Sequence, residues 1–295
     1  MNNNKQYSIL VWNIKGINSQ EKWNATRAKI NESSCQILCL QETKRENFDI
    51  LYLKKFCSKH LNAFAFSPSV GASGGIITIW NGNMFDGNIV CSNGYCVTIK
   101  FTNKLNASTF HVSNVYGPSY SEGKMAFITW MLNLDTDDLE DWIIAGDFNL
   151  YRSVENRNKL GGDANEMQLF NDLISTLDLI ELQFNGRTFT WSNMQLDHLL
   201  IKLDWVFCSP RWSFNNHPST RVQPLDRPIS DHIPYTITFG SSIPRSNIFR
   251  FESFWIEHVD FLKIVELHWN STPYFANAAK TLNGKFKQVR QGLRN

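Results

Sequence analysis

Trp142-Ile143-Ile144-Ala145-Gly146-Asp147-Phe148-Asn149 is the stretch from which the fold can be read. Four apolar residues in succession, then Gly-Asp and Phe-Asn, predict a short buried strand with a polar end. A strand apolar on both faces belongs inside a layered structure. The same pattern recurs along the chain. Tyr7 to Asn13 is β-branched and apolar and meets Lys15-Gly16, and Ile37 to Leu40 meets Gln41-Glu42. The run 110–116 closes with Asn114-Val115-Tyr116-Gly117-Pro118, the run 199–208 contains Asp204, and Asp231-His232 opens the run 233–239.

Outward from these runs, the spacing predicts further strands over 63–66, 75–80, 95–101 and 188–192. Turn chemistry lies between several of them at Gly74-Gly75, Asn81-Gly82 and Asn93-Gly94. Apolar residues near a 3.6 period predict helices over 21–34, 48–56, 121–134 and 166–177. The order is neither a βαβ repeat nor all-β. It predicts an α/β fold, with mixed sheets packed on each other and helices outside. One domain is expected over 6–240. From 241 the character changes: Gly240-Ser241-Ser242 leads to a helical tail over 241–295. Its Lys280, Lys285, Lys287, Arg290 and Arg294 alternate with apolar residues, most simply as a solvated face.

Composition excludes several classes. The chain has 295 residues, 42% of them hydrophobic and 19% charged, which is globular rather than disordered. A net charge of +2 neither marks nor excludes a nucleic-acid binder, because distribution matters more than the total. The six cysteines form no CxxC pair and read as small buried thiols in a reducing compartment. The N-terminal residues predict no secretory leader, and no run approaches roughly 18 apolar residues. The expectation is a monomer without membrane association, in nucleus or cytoplasm. The acidic stretch 135–141, with Asp137-Asp138, reads as a solvated turn.

In a sandwich of sheets, strand ends on one side converge on one cleft. Here that cleft would hold Asn13, Glu42, Asp147, Asn149, Asp204, Asp231 and His232. Hard oxygen donors suit Mg²⁺, which takes one or two carboxylates and keeps waters and substrate phosphate. An imidazolium beside it stabilises charge on a phosphoryl oxygen, and an Asp beside the ring orients it. Each piece has a plainer reading. Gly146-Asp147-Phe148-Asn149 also suits an Asx-type turn, Glu42 a helix cap, Ser230-Asp231-His232 a strand-start turn and Tyr116 a core aromatic. Asp204 within a strand needs a partner, either Lys202 or a histidine.

Together the motifs are more specific. Trp12-Asn13, Gln41-Glu42-Thr43, Asn114 to Pro118, Gly146 to Asn149, Lys202-Leu203-Asp204 and Ser230-Asp231-His232 occur in this order. With Ser73-Gly74-Gly75-Ile76, Thr188 to Ser192 and Arg227 to His232, the chain resembles the endonuclease/exonuclease/phosphatase superfamily. The nearest resemblance is to the apurinic-endonuclease-like domain of plant non-LTR (LINE-type) retroelement polyproteins. Phe249 to Trp255 is similar to the segment after that domain.

The resemblance implies a four-layer α/β sandwich with two mixed β-sheets face to face and helices outside. It implies hydrolysis of phosphoesters with Mg²⁺, or Mn²⁺ as a substitute, and duplex DNA as substrate. Glu42, Asn13 and Asp231 would serve the metal. Asn13, Tyr116, Asn149 and His232 would bind the phosphate. Asp147 would position or deprotonate the attacking water, with Asn149 beside it, and Asp204 would orient His232. Lys15 stands where repair members often have an acidic residue, and Lys202 where the family usually has Arg. The tail would be the remnant of a linker to a missing reverse transcriptase. Alternatives within the family are an abasic-site repair nuclease, an RNA deadenylase, or an inositol or lipid phosphatase. A catalytically silent nucleic-acid-binding remnant is the reading from outside enzymes. Substitution of Asp147 or His232 is expected to leave the fold intact, since both are placed at a cleft.

Overall fold

The computed structural model describes residues 6–71, 73–134, 141–240, 253–271 and 278–293. In chain order the strands are β1 (Gln6–Asn13), β2 (Ile37–Gln41), β3 (Ala63–Val70), β4 (Ser73–Trp80), β5 (Phe85–Ser92), β6 (Cys96–Asn103) and β7 (Thr109–Tyr116). They continue as β8 (Trp142–Asp147), β9 (Ile180–Glu181), β10 (Trp191–Ser192), β11 (Leu200–Ile201), β12 (Asp204–Cys208), β13 (Arg221–Pro224) and β14 (Tyr235–Gly240). The helices are α1 (Gln20–Ser33), α2 (Ile50–Leu53), α3 (Ser121–Leu132), α4 (Ala164–Thr176), α5 (Phe261–Asn270) and α6 (Ala278–Gly292).

Two six-stranded sheets form, in the orders β13-β14-β1-β2-β4-β3 and β5-β6-β7-β8-β12-β9, beside a short β10-β11 pair. Each large sheet has one parallel pair, β1 with β2 and β7 with β8, among antiparallel neighbours. Alternation along the strands explains the layering. In β1, Ile9 and Val11 join a cluster that also draws on Ile143, Ala145 and Val206 of the other sheet. Leu10 and Trp12 point the other way, into a cluster with Ile30 of α1 and Leu53 of α2. In β8, Ile144 and Trp142 pack with Phe127 and Ile128 of α3 and Phe170 and Leu173 of α4. The result is helix, sheet, sheet, helix, as the sequence predicts. Each fully buried aromatic in these layers contributes about 1.5–3 kcal/mol of transfer free energy.

Register brings the polar strand ends together. β1 and β2 run parallel with Asn13 opposite Gln41, and β7 and β8 run parallel with Tyr116 opposite Asp147. β12 runs antiparallel to β8 with Asp204 opposite Asp147. β14 runs antiparallel to β1 with Tyr235 opposite Val11, which carries the preceding His232 to the same end. Parallel strands need helical crossovers, and α1 and α3 supply them.

Several boundaries differ from the sequence prediction. Asp49 caps α2 by accepting from the Tyr52 amide, so the helix starts after Phe48 and is one turn long. Asp163 caps α4 and starts it at Ala164. The predicted strand 199–208 is interrupted at Lys202 and Leu203. The Lys202 amide donates to the Asn156 carbonyl and the Leu203 amide to the Thr190 hydroxyl. β5 was not foreseen because Asp86-Gly87-Asn88 breaks any alternation; a Cβ on Gly87 would come within 2.6 Å of the Trp80 ring. The two-residue β9 and the four-residue β13 were also missed.

Residues 135–140, 241–252, 272–277 and Arg294 lie outside the described residues, and with them Asp137-Asp138 and most of Phe249 to Trp255. The chain divides into two compact units, Met1–Ser242 and Ile243–Asn295. Within the second, α5 and α6 pack together, with Trp269 edge-on to Phe286 and Lys285 over the Trp269 ring. No helix among the described residues is long and apolar enough to cross a membrane.

Candidate active site

Asp147 is the hub. It ends β8 and is 1% exposed. Its Oδ2 accepts from Asn13 Nδ2 at 2.8 Å and from Asn149 Nδ2 at 3.2 Å, and its Oδ1 accepts from the Asn149 amide at 2.9 Å. Asn149 has φ +51°, a left-handed turn that Asn tolerates, and its Nδ2 also donates to the Gly117 carbonyl. The Asx-type turn read from Gly-Asp-Phe-Asn is therefore present and forms part of the site.

His232 completes a chain of charges. Its Nδ1–H donates to Asp204 Oδ2 at 2.8 Å, and its Nε2 lies 3.5 Å from Asp147 Oδ2. The ring is held from behind: its backbone amide donates to Ser230 Oγ, and its carbonyl accepts from the Trp12 indole. Burial alone would lower the pKa of the ring, but Asp204 and Asp147 more than reverse this and raise it to about 9. Burial likewise raises Asp147, to about 7, against the pull of His232. The ring is therefore an imidazolium near neutral pH, positioned against a carboxylate that readily takes up a proton.

Asp204 is fully buried, and its partner is His232. Lys202 is not that partner; it pairs with Glu181 at 2.5 Å on another wall. Asp204 Oδ1 is buried without a hydrogen-bond partner among the described residues. Thr190 supports the Asp204 backbone, its hydroxyl accepting from the Asp204 and Leu203 amides. Thr190 lies within the Thr188 to Ser192 motif, whose sequence alone assigns it no task.

Glu42, Asp231 and Tyr116 form the outer part. Glu42 follows β2 with φ +51°, and Lys15 and Lys44 are also left-handed, at +53°. Such turns cost on the order of 1 kcal/mol each in non-glycine residues. Lys15 Nζ lies 2.6 Å from Asp231 Oδ2, and Lys44 Nζ lies 3.0 Å from Glu42 Oε1. The Tyr116 phenol is raised by burial first and then by the charges of Glu42, Asp147 and Asp231. All eight residues singled out from the sequence thus lie at one end of the sandwich. Lys15 and Lys44 are the contributors that sequence reasoning left without a role in the cleft.

The donor set suits a hard divalent cation. Asp231 holds the Lys15 ammonium and Glu42 that of Lys44, so each of the two carboxylates is already paired with a positive charge that a cation could replace. Among the described residues no three His, Cys, Asp or Glu side chains form a closed metal cage. Two carboxylates with open positions fit Mg²⁺, which retains water and phosphate ligands. The six cysteines are free, and burial pushes the Cys35 thiol up to about 11 and the Cys96 thiol up to about 12, which leaves neither as a nucleophile.

A family model described as the Endonuclease/Exonuclease/phosphatase family matches residues 10–232, from just before Asn13 to His232. The chain belongs to the Endonuclease/Exonuclease/phosphatase family. Enzymes of this family hydrolyse phosphoesters, and its nucleases generally use divalent metals. Solved structures share the sandwich. The AP endonuclease LMAP from Leishmania major superposes with a TM-score of 0.64 at 17% identity, over 80% of this chain and 88% of that one. The endonuclease domain of TRAS1, a telomere-specific non-LTR retrotransposon, gives 0.58 at 16%, over 79% and 98%. The 3'-5' exonuclease NExo from Neisseria meningitidis gives 0.58 at 19%, over 79% and 99%. A search of curated proteins finds no significant match.

Proposed function

We propose that the chain is a Mg²⁺-dependent DNA endonuclease that nicks one strand of a duplex and leaves a 3′ hydroxyl. The observation that carries this is the line Asp204–His232–Asp147, with Asn13 and Asn149 fixed on Asp147. In this reading water attacks phosphorus in line, a P–O bond forms, and the P–O3′ bond breaks. Asp147 holds the water and accepts its proton. The His232 imidazolium lies against a non-bridging phosphate oxygen and stabilises its charge, with Asp204 keeping the ring in place. Tyr116 donates to the same phosphate, and Asn149, whose amide hydrogens are held by Asp147 and the Gly117 carbonyl, fixes Asp147 beside it. Glu42 and Asp231, with Asn13, would hold Mg²⁺, which supplies charge for the phosphoryl oxygen and the leaving 3′ oxygen when bound.

The choice of duplex DNA, and of target-site nicking in particular, rests on the motif resemblance to LINE-type retroelements and on the fold shared with the TRAS1 domain. The test is conversion of supercoiled plasmid to open circle by the wild-type chain and by Asp147→Asn, with Mg²⁺ or EDTA. Nicking that needs both Mg²⁺ and Asp147, with ends that a polymerase extends, supports the reading. A folded chain that leaves plasmid intact but cleaves RNA or a phosphomonoester would replace it with another activity of the family.

A further inference from the structure

On the flank of the β5–β9 sheet lies a cavity of about 660 Å³ that the chemistry above does not use. Arg152, Arg187, Lys202 and Glu181 line it. Glu181 is already neutralised twice over: Lys202 Nζ reaches its Oε1 at 2.5 Å and Arg152 Nη1 its Oε2 at 2.6 Å. Arg152 Nε is fixed on Asn171 Oδ1. Three cations therefore face one carboxylate. Arg187 is exposed, and among the described residues it has no hydrogen bond or ion pair. A free guanidinium beside a net positive wall calls for an anion.

The surroundings narrow the anion. The cavity's Phe184 and Trp205 are buried beneath the Lys202 ammonium, 4.1 Å from the Trp205 ring centre, so no open aromatic face remains for a base. The site recognises charge rather than a ring. The cavity also shares Arg187 and Thr188 with a groove of about 230 Å³, walled further by Thr190, Trp191 and Arg227. That groove adjoins the reacting centre: Trp191 pairs with His232 along the backbone, Thr190 holds the Asp204 amide, and Arg227 Nη1 donates to the Asp231 carbonyl. A cationic path thus leads from His232 past Arg227 and Arg187 to Arg152.

We infer that this cavity is a second phosphate site, in which Arg187, backed by Arg152, takes a backbone phosphate of the nucleic acid flanking the one that is cut. The inference rests on the nuclease reading above and adds a residue that fixes where the strand lies. Arginine's planar fork suits a phosphodiester, and the contact is independent of base identity.

The test uses the full chain, Arg187→Ala and Arg187→Lys, binding a labelled duplex in EDTA across a salt series. Each phosphate contact adds about 0.9 to the slope of log affinity against log salt. Arg187→Ala is expected to weaken binding about fivefold at low salt and to lower the slope by about 0.9, with Arg187→Lys restoring most of the slope. Duplexes with single methylphosphonates should expose one flanking position at which the wild type loses affinity and Arg187→Ala loses none. A wild-type chain that nicks plasmid while Arg187→Ala keeps the same slope and methylphosphonate profile overturns the inference and leaves the nuclease reading standing. A wild-type chain that neither nicks nor binds DNA overturns both.

Discussion

The ammonium of Lys15 lies 2.6 Å from Asp231 Oδ2, and Glu42 acts on the same ammonium. Glu42 has an ammonium of its own, with Lys44 Nζ 3.0 Å from its Oε1, so Asp231 is the carboxylate neutralised by Lys15. The Lys15 side chain is half exposed while that of Asp231 is 12% exposed, so the pair contributes no more than about 1 kcal/mol to stability.

A divalent ion at Glu42 and Asp231 must displace this ammonium or share the carboxylates with it. Lys15→Met removes the charge and keeps the chain length. The Mg²⁺ concentration at the midpoint of the Tm rise, measured without nucleic acid, should fall about fivefold, the equivalent of about 1 kcal/mol. Glu42→Gln should move the midpoint the opposite way. An identical midpoint in Lys15→Met would remove Asp231 from the metal's donors.

The two raised pKa values make a pH prediction. In the proposed mechanism attack needs the Asp147 carboxylate and the His232 imidazolium together, so activity should rise with an apparent pKa near 7 and fall with one near 9. For stability the sign is the same for both groups. His232, raised above 6.5, contributes fully below that pH and loses its contribution as pH rises through about 9. Asp147, raised above 3.8, contributes below that pH and loses its contribution as pH rises through about 7. Denaturant midpoints should therefore decline between pH 6.5 and 9 in the wild type and less so in His232→Gln.

Asp147 and His232 are floor residues, 1% and 4% exposed, rather than side chains on an open cleft wall. The sequence-based expectation that either can be truncated without structural effect therefore changes. His232→Ala leaves Asp147 and Asp204 as buried carboxylates without their cation, at a cost of about 3–5 kcal/mol. Asp147→Asn keeps the shape and removes a charge that burial disfavours. Because both carboxylate oxygens accept from N–H groups, the new NH2 faces a donor, and Asp147→Asn should lower nicking by about 10²–10⁴ while lowering Tm less than His232→Ala does. A fall in Tm as large as that of His232→Ala would contradict this account of the hub.

The fold was legible because its deciding strands are apolar on both faces and their ends are polar. Ile9 to Asn13 and Trp142 to Asp147 show both features within eight residues. Asn13, Asp147, Asp204 and His232 were legible as a set because each adjoins such an end. The partners were not. Nothing in spacing says that Lys202 turns to Glu181, 21 residues away, while Asp204 turns to His232. Strand pairing and a break in a ladder decide this. The trough past Arg187 was hidden for a related reason, since Arg152, Glu181 and Lys202 come from three separate segments.

Gly146 connects the fold to the site. Its φ is +142°, and a Cβ there would lie 2.1 Å from the Val115 carbonyl oxygen, the residue it faces across the parallel β7–β8 ladder. The obstacle is backbone, so no side-chain rotation relieves it, and Trp205 of β12 flanks Gly146 on the other side. Gly146→Ala must push β8 away from β7 at the position just before Asp147. The expected cost exceeds about 3 kcal/mol, at the upper end for single substitutions. It should be accompanied by loss of nicking even at temperatures where the variant remains folded, because Asp147 moves relative to Asn13 and His232. Urea midpoints and plasmid nicking on the same preparation check both halves. A variant that loses stability yet nicks at the wild-type rate would show that Asp147 is placed by Asn13 and Asn149 alone.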